Sequence, residues 1–170
     1  MKNTKSIVIS ALLVALSLAL FSVELLLPPF PFCPAAKIGL ANIVTLFMLT
    51  NNSIFNTRYS VLVLISRCVL SALITGRIMS VLFSLTGGLS AIFVMIIIRD
   101  ILGKDKVVSI SISGAVSHNL AQIITAVLIY GTYSAFYYIP SLFIVGVSCG
   151  VLTGLCVKTI NKINFLKKIN

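Results

Sequence analysis

Hydrophobic residues in this chain fall in long runs broken by short polar or basic stretches, and the run lengths match bilayer crossings. A helix needs about 20 apolar residues to span the ~30 Å hydrocarbon layer. The first run covers residues 6–27 behind Lys2 and Lys5, and leads into Pro28-Pro29-Phe30-Pro31-Phe32-Cys33-Pro34. It is too long for the core of a cleaved signal peptide and lacks a small-residue cleavage site, so it predicts a retained span. The proline cluster cannot continue a helix, and such backbone belongs at the interface or inside protein rather than against lipid. The second run, Ile38 to Thr50, is short for a crossing. It either recruits Ala35 and Ala36, giving a span over 35–50, or sits deep in the bundle. Further spans follow at 59–75, 78–98, 107–130 and 139–157, with Tyr133, Phe136, Tyr137 and Tyr138 as an interfacial aromatic belt before the last. The pattern predicts an all-α polytopic membrane protein, a six-transmembrane-helix bundle forming a single integral membrane domain over 1–170.

Composition removes the alternatives. The 170 residues are 59% hydrophobic and 9% charged, with mean hydropathy +1.15. Soluble domains carry roughly a quarter charged residues, so a water-facing surface cannot be covered here. Soluble enzymes, disordered tails and disulfide-stapled secreted domains are excluded. Thirteen Lys and Arg oppose three acids, a balance that in a soluble protein would suggest nucleic acid. Here the basic residues punctuate apolar runs. With both termini cytoplasmic, Lys2, Lys5, Arg58, Arg99, Lys104, Lys106, Lys158, Lys162, Lys167 and Lys168 lie inside, while Lys37 and Arg77 lie outside. That bias predicts a multi-pass cell-membrane protein in this orientation, with the lipid bilayer and not nucleic acid as its surroundings. Four cysteines form no CxxC pair. Cys149 and Cys156, seven apart, read as small core residues on one helix face rather than as metal ligands.

Ionisable groups inside a bilayer are costly, so each is a functional candidate. Arg67 follows Arg58 by nine residues, about 13 Å into the membrane at 1.5 Å per residue. Ser71 and Thr75 continue its polar stripe. Glu24 stands near the outer end of the first span, and Lys37 and Arg77 flank the outer face. Glu24 could pair with Arg67, Lys37 or Arg77 and merely fix packing. Three cations against one carboxylate nevertheless leave a surplus that an anionic ligand could satisfy. In the fifth span, Ser111, Gly114, Ala115, His118, Gln122 and Thr125 share a face, with Asn119 beside His118. Such a stripe must face the interior, either for interhelical hydrogen bonds or as a polar pocket. Asn42, near the outer start of the second run, can join it. The substrate-binding set is therefore Arg67, His118, Asn119, Gln122, Asn42, Lys37, Arg77 and Glu24.

Small residues recur at Ala11, Ala15 and Ala19, at Ser80, Ser84, Gly87 and Ala91, and at Gly146, Gly150 and Gly154. Such faces allow close helix approach. The later two read as internal packing; the alanine stripe, on a terminal helix, can also meet another protein. No aspartate-rich cluster exists to hold Mg²⁺ against a diphosphate, and no Walker loop, HExxH or GxSxG appears. The sequence thus predicts a non-enzyme without cofactor or metal.

Three segments carry a resemblance. Pro34-Ala35-Ala36-Lys37-Ile38-Gly39-Leu40-Ala41-Asn42-Ile43-Val44-Thr45, Ser84-Leu85-Thr86-Gly87-Gly88-Leu89-Ser90 and Gly114-Ala115-Val116-Ser117-His118-Asn119-Leu120-Ala121-Gln122 resemble the Gx transporter family, also catalogued as heptaprenyl diphosphate synthase component I. Ala35 and Ala121 stand where the family carries glycine. The family is similar to substrate-binding components of energy-coupling factor transporters. That resemblance implies six helices, an outward-facing pocket for a small-molecule substrate, and a small-residue face on the first helix, here Ala11, Ala15 and Ala19. That face would dock on a transmembrane scaffold bound to ATPase subunits. The expected function is the substrate-binding subunit of an uptake transporter for a small polar or anionic molecule. The alternative is a non-catalytic membrane partner of polyprenyl diphosphate synthesis. A secondary transporter coupled through Glu24 or His118 is disfavoured by the lack of inverted repeats.

Overall fold

The computed structural model describes residues 2–26, 39–51, 55–131 and 133–163. Among them the chain is helical throughout: α1 (Lys2–Leu26), α2 (Asn42–Thr50), α3 (Thr57–Thr75), α4 (Met79–Leu102), α5 (Val107–Tyr130), a 3₁₀ turn (Tyr133–Tyr138) and α6 (Ile139–Lys162). All but α2 are long and apolar enough to cross a membrane. The protein is a multi-pass helical membrane bundle.

Local chemistry explains the ends. The Asn56 side chain accepts the Arg58 N–H and caps α3, and Gly76, at φ 66°, ends that helix in the left-handed region. Pro140 sits in the first turn of α6, where its missing N–H removes no helical bond. The second apolar run differs from a span over 35–50. Its helix begins only at Asn42, because Gly39 adopts φ 75° and its carbonyl accepts the Asn42 N–H in a turn. Ala35, Ala36 and the proline cluster lie outside the described residues. Nine residues of helix cover about 13 Å, so α2 is an internal half-length element. Val44, Thr45, Leu46, Met48, Leu49 and Thr50 are all buried in it.

A helix that stops inside a bundle must have its last carbonyls satisfied. Arg99 of α4 donates to the Leu49 carbonyl at 3.4 Å while pairing with Asp100 at 2.7 Å. The Asn51 amide donates to Asn161 Oδ1 at 2.9 Å, and the Asn161 amide donates to Thr50 Oγ1 at 3.2 Å. These contacts gather the ends of α2, α4 and α6 at one end of the bundle, here the basic end. Above them lies the main core of Leu46, Leu49, Leu64, Cys68, Ile92, Met95, Ile110 and Val157. The basic-end half is therefore filled with side chains.

The most extensive helix contacts are α4 on α5 and α5 on α6. Glycines set the second. A Cβ on Gly150 would lie 2.7 Å from the Ile112 Cα, and one on Gly154 would lie 2.8 Å from the Val108 Cα. The two backbones thus touch, which the small-residue repeat in α6 permits. Ser111 and Thr153 hydrogen-bond across the same buried seam at 2.8 Å. Of the cysteine pair, Cys149 is half-buried but Cys156 is exposed; the face they share turns outward over about two helical turns, so Cys156 is not a core residue. Helix α1 is peripheral and packs mainly on α3. Ser17 is its one buried residue among those whose burial is described, and Ala11, Ala15 and Ala19 are all exposed.

Candidate functional site

Above the core, at mid-height of α3 and α5, the packing leaves a cavity of about 40 Å³. That is room for a few waters or one small polar group. Five elements line it: Phe21 and Glu24 from α1, Gly39, Ala41 and Asn42 at the start of α2, Arg67, Cys68 and Ser71 from α3, Ser84 from α4, and His118 and Gln122 from α5.

Glu24 fixes the entry of α2. The Gly39 N–H donates to its Oε1 at 2.7 Å and the Leu40 N–H to its Oε2 at 3.2 Å. Two successive N–H groups can converge on one carboxylate because Gly39 takes the left-handed conformation. The expected ion pair of Glu24 with Arg67 or Arg77 is not formed. Among the described residues the one salt bridge is Arg99–Asp100. Backbone N–H groups have taken the carboxylate, and the cations must find other partners.

Arg67 is 8% exposed. Among the described residues its guanidinium makes two bonds, from Nη1 and Nη2 to Asn42 Oδ1, each 3.4 Å. Both are well beyond the usual 2.9 Å and share one neutral acceptor. A guanidinium carries five N–H donors and a full charge, so this buried cation is underpaired. Carboxylate or phosphate oxygens supply the geometry it lacks.

His118 reaches the cavity over Gly87, where a Cβ would stand 2.8 Å from the imidazole Cε1. Only a residue without a side chain leaves the ring its place. Gly87→Ala is accordingly expected to move the ring and to cost no more than about 1 kcal/mol, since the ring can swing away. The chain has one histidine, so nitrogen-15 NMR of labelled protein reads the change directly. An unchanged signal would contradict the contact. Gln122, one turn beyond His118, donates from Nε2 to the Phe83 carbonyl at 3.5 Å.

The remaining predicted residues go elsewhere. Asn119 is buried, donates to the Leu142 carbonyl of α6 at 2.9 Å and packs against Gly146. It joins helices and does not line the cavity, a correction to its place in the binding set. Arg77 is exposed beyond the end of α3, away from the cavity. Lys37 lies outside the described residues. The α5 stripe is divided by its neighbours: Ser111 bonds Thr153 of α6, and Thr125 donates to Thr86 Oγ1 of α4 at 2.8 Å. Sequence reasoning missed Phe21, Ser84 and Cys68 as lining residues. The nearest signals were Ser84's place in a small-residue stripe and Cys68's position next to Arg67. Among the described residues no three His, Cys, Asp or Glu side chains cluster as a metal ion would require.

Residues 13–160 match the family described as heptaprenyl diphosphate synthase component I, and the chain belongs to that family. No match to a curated protein or to a solved structure was found.

Proposed function

We propose that this member of the heptaprenyl diphosphate synthase component I family is a membrane-embedded capture subunit for uptake of a small anionic or polar molecule. One observation carries the reading. Glu24, Asn42, Arg67, His118 and Gln122, from four separate helices, converge on one cavity around a buried, underpaired guanidinium. Holding such a cation with no direct ion-pair partner among the described residues costs several kcal/mol, and an anionic ligand offsets that cost. Arg67 binds the anion, Asn42 orients Arg67, His118 and Gln122 supply directional hydrogen bonds, and Glu24 shapes the site by anchoring Gly39 and Leu40. Arg77, exposed beyond the end of α3, attracts the anion from outside the cavity, and Lys37 is assigned the same attractive role.

In this reading the filled end, with its excess of basic residues, and both termini are cytoplasmic in a cell-membrane protein. The cavity then communicates with the exterior, because the core blocks the cytoplasmic half. Nothing in this site supplies energy, so release inward depends on a partner. The exposed Ala11, Ala15 and Ala19 face of α1 is the docking surface for a transmembrane scaffold bound to ATPase subunits. Its three residues are small, apolar and exposed.

The family description favours a second reading, a non-catalytic membrane component that presents a lipid substrate to a soluble prenyltransferase. The two differ in what travels with the protein. Gentle solubilisation and mass spectrometry of co-purifying chains should recover a membrane scaffold with ATPases, and Ala15→Leu should remove them. Recovery of a soluble prenyltransferase instead, lost when the loop from Arg99 to Lys106 is changed, would replace the first reading with the second.

A further inference from the structure

A second cavity, of about 420 Å³, lies between α4, α5, the 3₁₀ turn and the start of α6. Its walls are Phe83, Ile123, Ala126, Tyr130, Tyr138 and Leu142, and Phe83 and Tyr130 stack with ring centroids 6.2 Å apart. This volume is in the range that holds a drug-sized molecule, whereas the 40 Å³ around Arg67 is far below it.

The two spaces are consecutive. Gln122 lines both. On α5, His118, Gln122, Ala126 and Tyr130 follow at four-residue steps, so they form one row along the helix. The first of them faces the polar cavity, the second both, and the last two the apolar one. On the antiparallel α4 the same order runs backwards: Gly87 under His118, Ser84 on the polar cavity, Phe83 and Ser80 on the apolar one. From His118 to Tyr130 the row is about 18 Å long. The junction is weakly held, since the Gln122 amide reaches the Phe83 carbonyl at 3.5 Å.

Resting on the capture reading above, we infer that the ligand is a monocarboxylate with an apolar body, its head at Arg67 and its body along the α4–α5 seam in the aromatic cavity. The polar cavity is too small for more than the head. Its charge selects a single negative group: one guanidinium and the Glu24 carboxylate share the space, so a second negative charge on the ligand would meet repulsion. The body must continue somewhere, and past Gln122 the walls are apolar and aromatic. Burial of that body supplies most of the affinity, and Arg67 supplies orientation and selection for the anion.

The test uses the full chain in phosphatidylcholine nanodiscs and isothermal titration with acetate, 4-phenylbutyrate, 6-phenylhexanoate and 6-phenylhexanamide. The phenylalkanoates should bind at least tenfold more tightly than acetate, and the neutral amide at least tenfold more weakly than its acid. Ala126→Trp, which fills the apolar cavity, should cut phenylhexanoate affinity at least tenfold and leave acetate unchanged. Ser134→Trp at the exposed edge of the same cavity provides a second variant should the first fail to fold. Oleate placed in the disc and competing with phenylhexanoate would mark the occupant as bilayer-borne; failure to compete would mark it as water-borne, and either outcome upholds the seam. Arg67-dependent acetate binding with no gain from the phenylalkyl body overturns this inference while leaving the capture reading in place. Unchanged phenylhexanoate affinity in both tryptophan variants does the same. Absence of binding for every acid overturns both.

Discussion

Arg67→Gln is expected to abolish anion binding, by at least a hundredfold, while leaving the empty protein as stable as the parent or more so. The two halves of that expectation come from the same geometry. Gln keeps an amide near Asn42 but removes the charge and the forked donors that grip two oxygens at once. Removing one member of a buried ion pair costs about 3–5 kcal/mol, because the other charge is stranded. Here no partner would be stranded among the described residues, since Glu24 is held by the Gly39 and Leu40 N–H groups rather than by Arg67. Loss of the charge therefore removes a desolvation cost from the empty state. Thermal unfolding in detergent, read beside a binding isotherm, checks both halves. A large loss of stability would mean that Arg67 serves packing, and the capture role would fall with it.

The largest stability effect is expected at Gly150. A leucine there must fit where even a Cβ would stand 2.7 Å from the Ile112 Cα. The obstacle is backbone, so no side-chain rotation relieves it, and α5 must part from α6. Separation also breaks the Ser111–Thr153 bond and the reach of Asn119 to the Leu142 carbonyl. Gly150→Leu should cost at least about 3 kcal/mol, the upper range for overpacked cores. Chemical unfolding of the purified protein against Gly88→Ala offers the comparison. A Cβ on Gly88 meets the two Leu64 methyl groups at 2.6 and 2.9 Å, a flexible neighbour that can move. Equal losses in the two variants would contradict the backbone contact between α5 and α6.

How much of this was readable in the sequence depends on the kind of signal each residue carries. Run lengths located the five long helices, because the bilayer imposes a length that soluble folds do not. Arg67, His118, Gln122, Asn42 and Glu24 stood out because polar groups in apolar runs are expensive, and the structure brings them around one cavity. Phe21 could not be found this way, since an aromatic residue in a membrane helix is unremarkable until its neighbours are known. Glu24 was legible as a candidate but its partner was not, because backbone N–H groups leave no mark in sequence. Asn119 was misplaced by adjacency. Neighbours on a helix point about 100° apart, so His118 faces α4 and the cavity while the next residue faces α6. The half-length α2 depended on the backbone of Gly39, which a hydropathy run cannot report.

The central claim is that a cavity built around a buried cation holds an anion. Its most direct measurement is mass spectrometry of the small molecules released when gently purified protein is denatured, with the parent chain and Arg67→Gln processed in parallel. The account predicts an organic anion released from the parent in near-equal proportion to protein and missing from the variant. The same compounds in equal amount from both proteins, or a neutral compound alone from the parent, would contradict it.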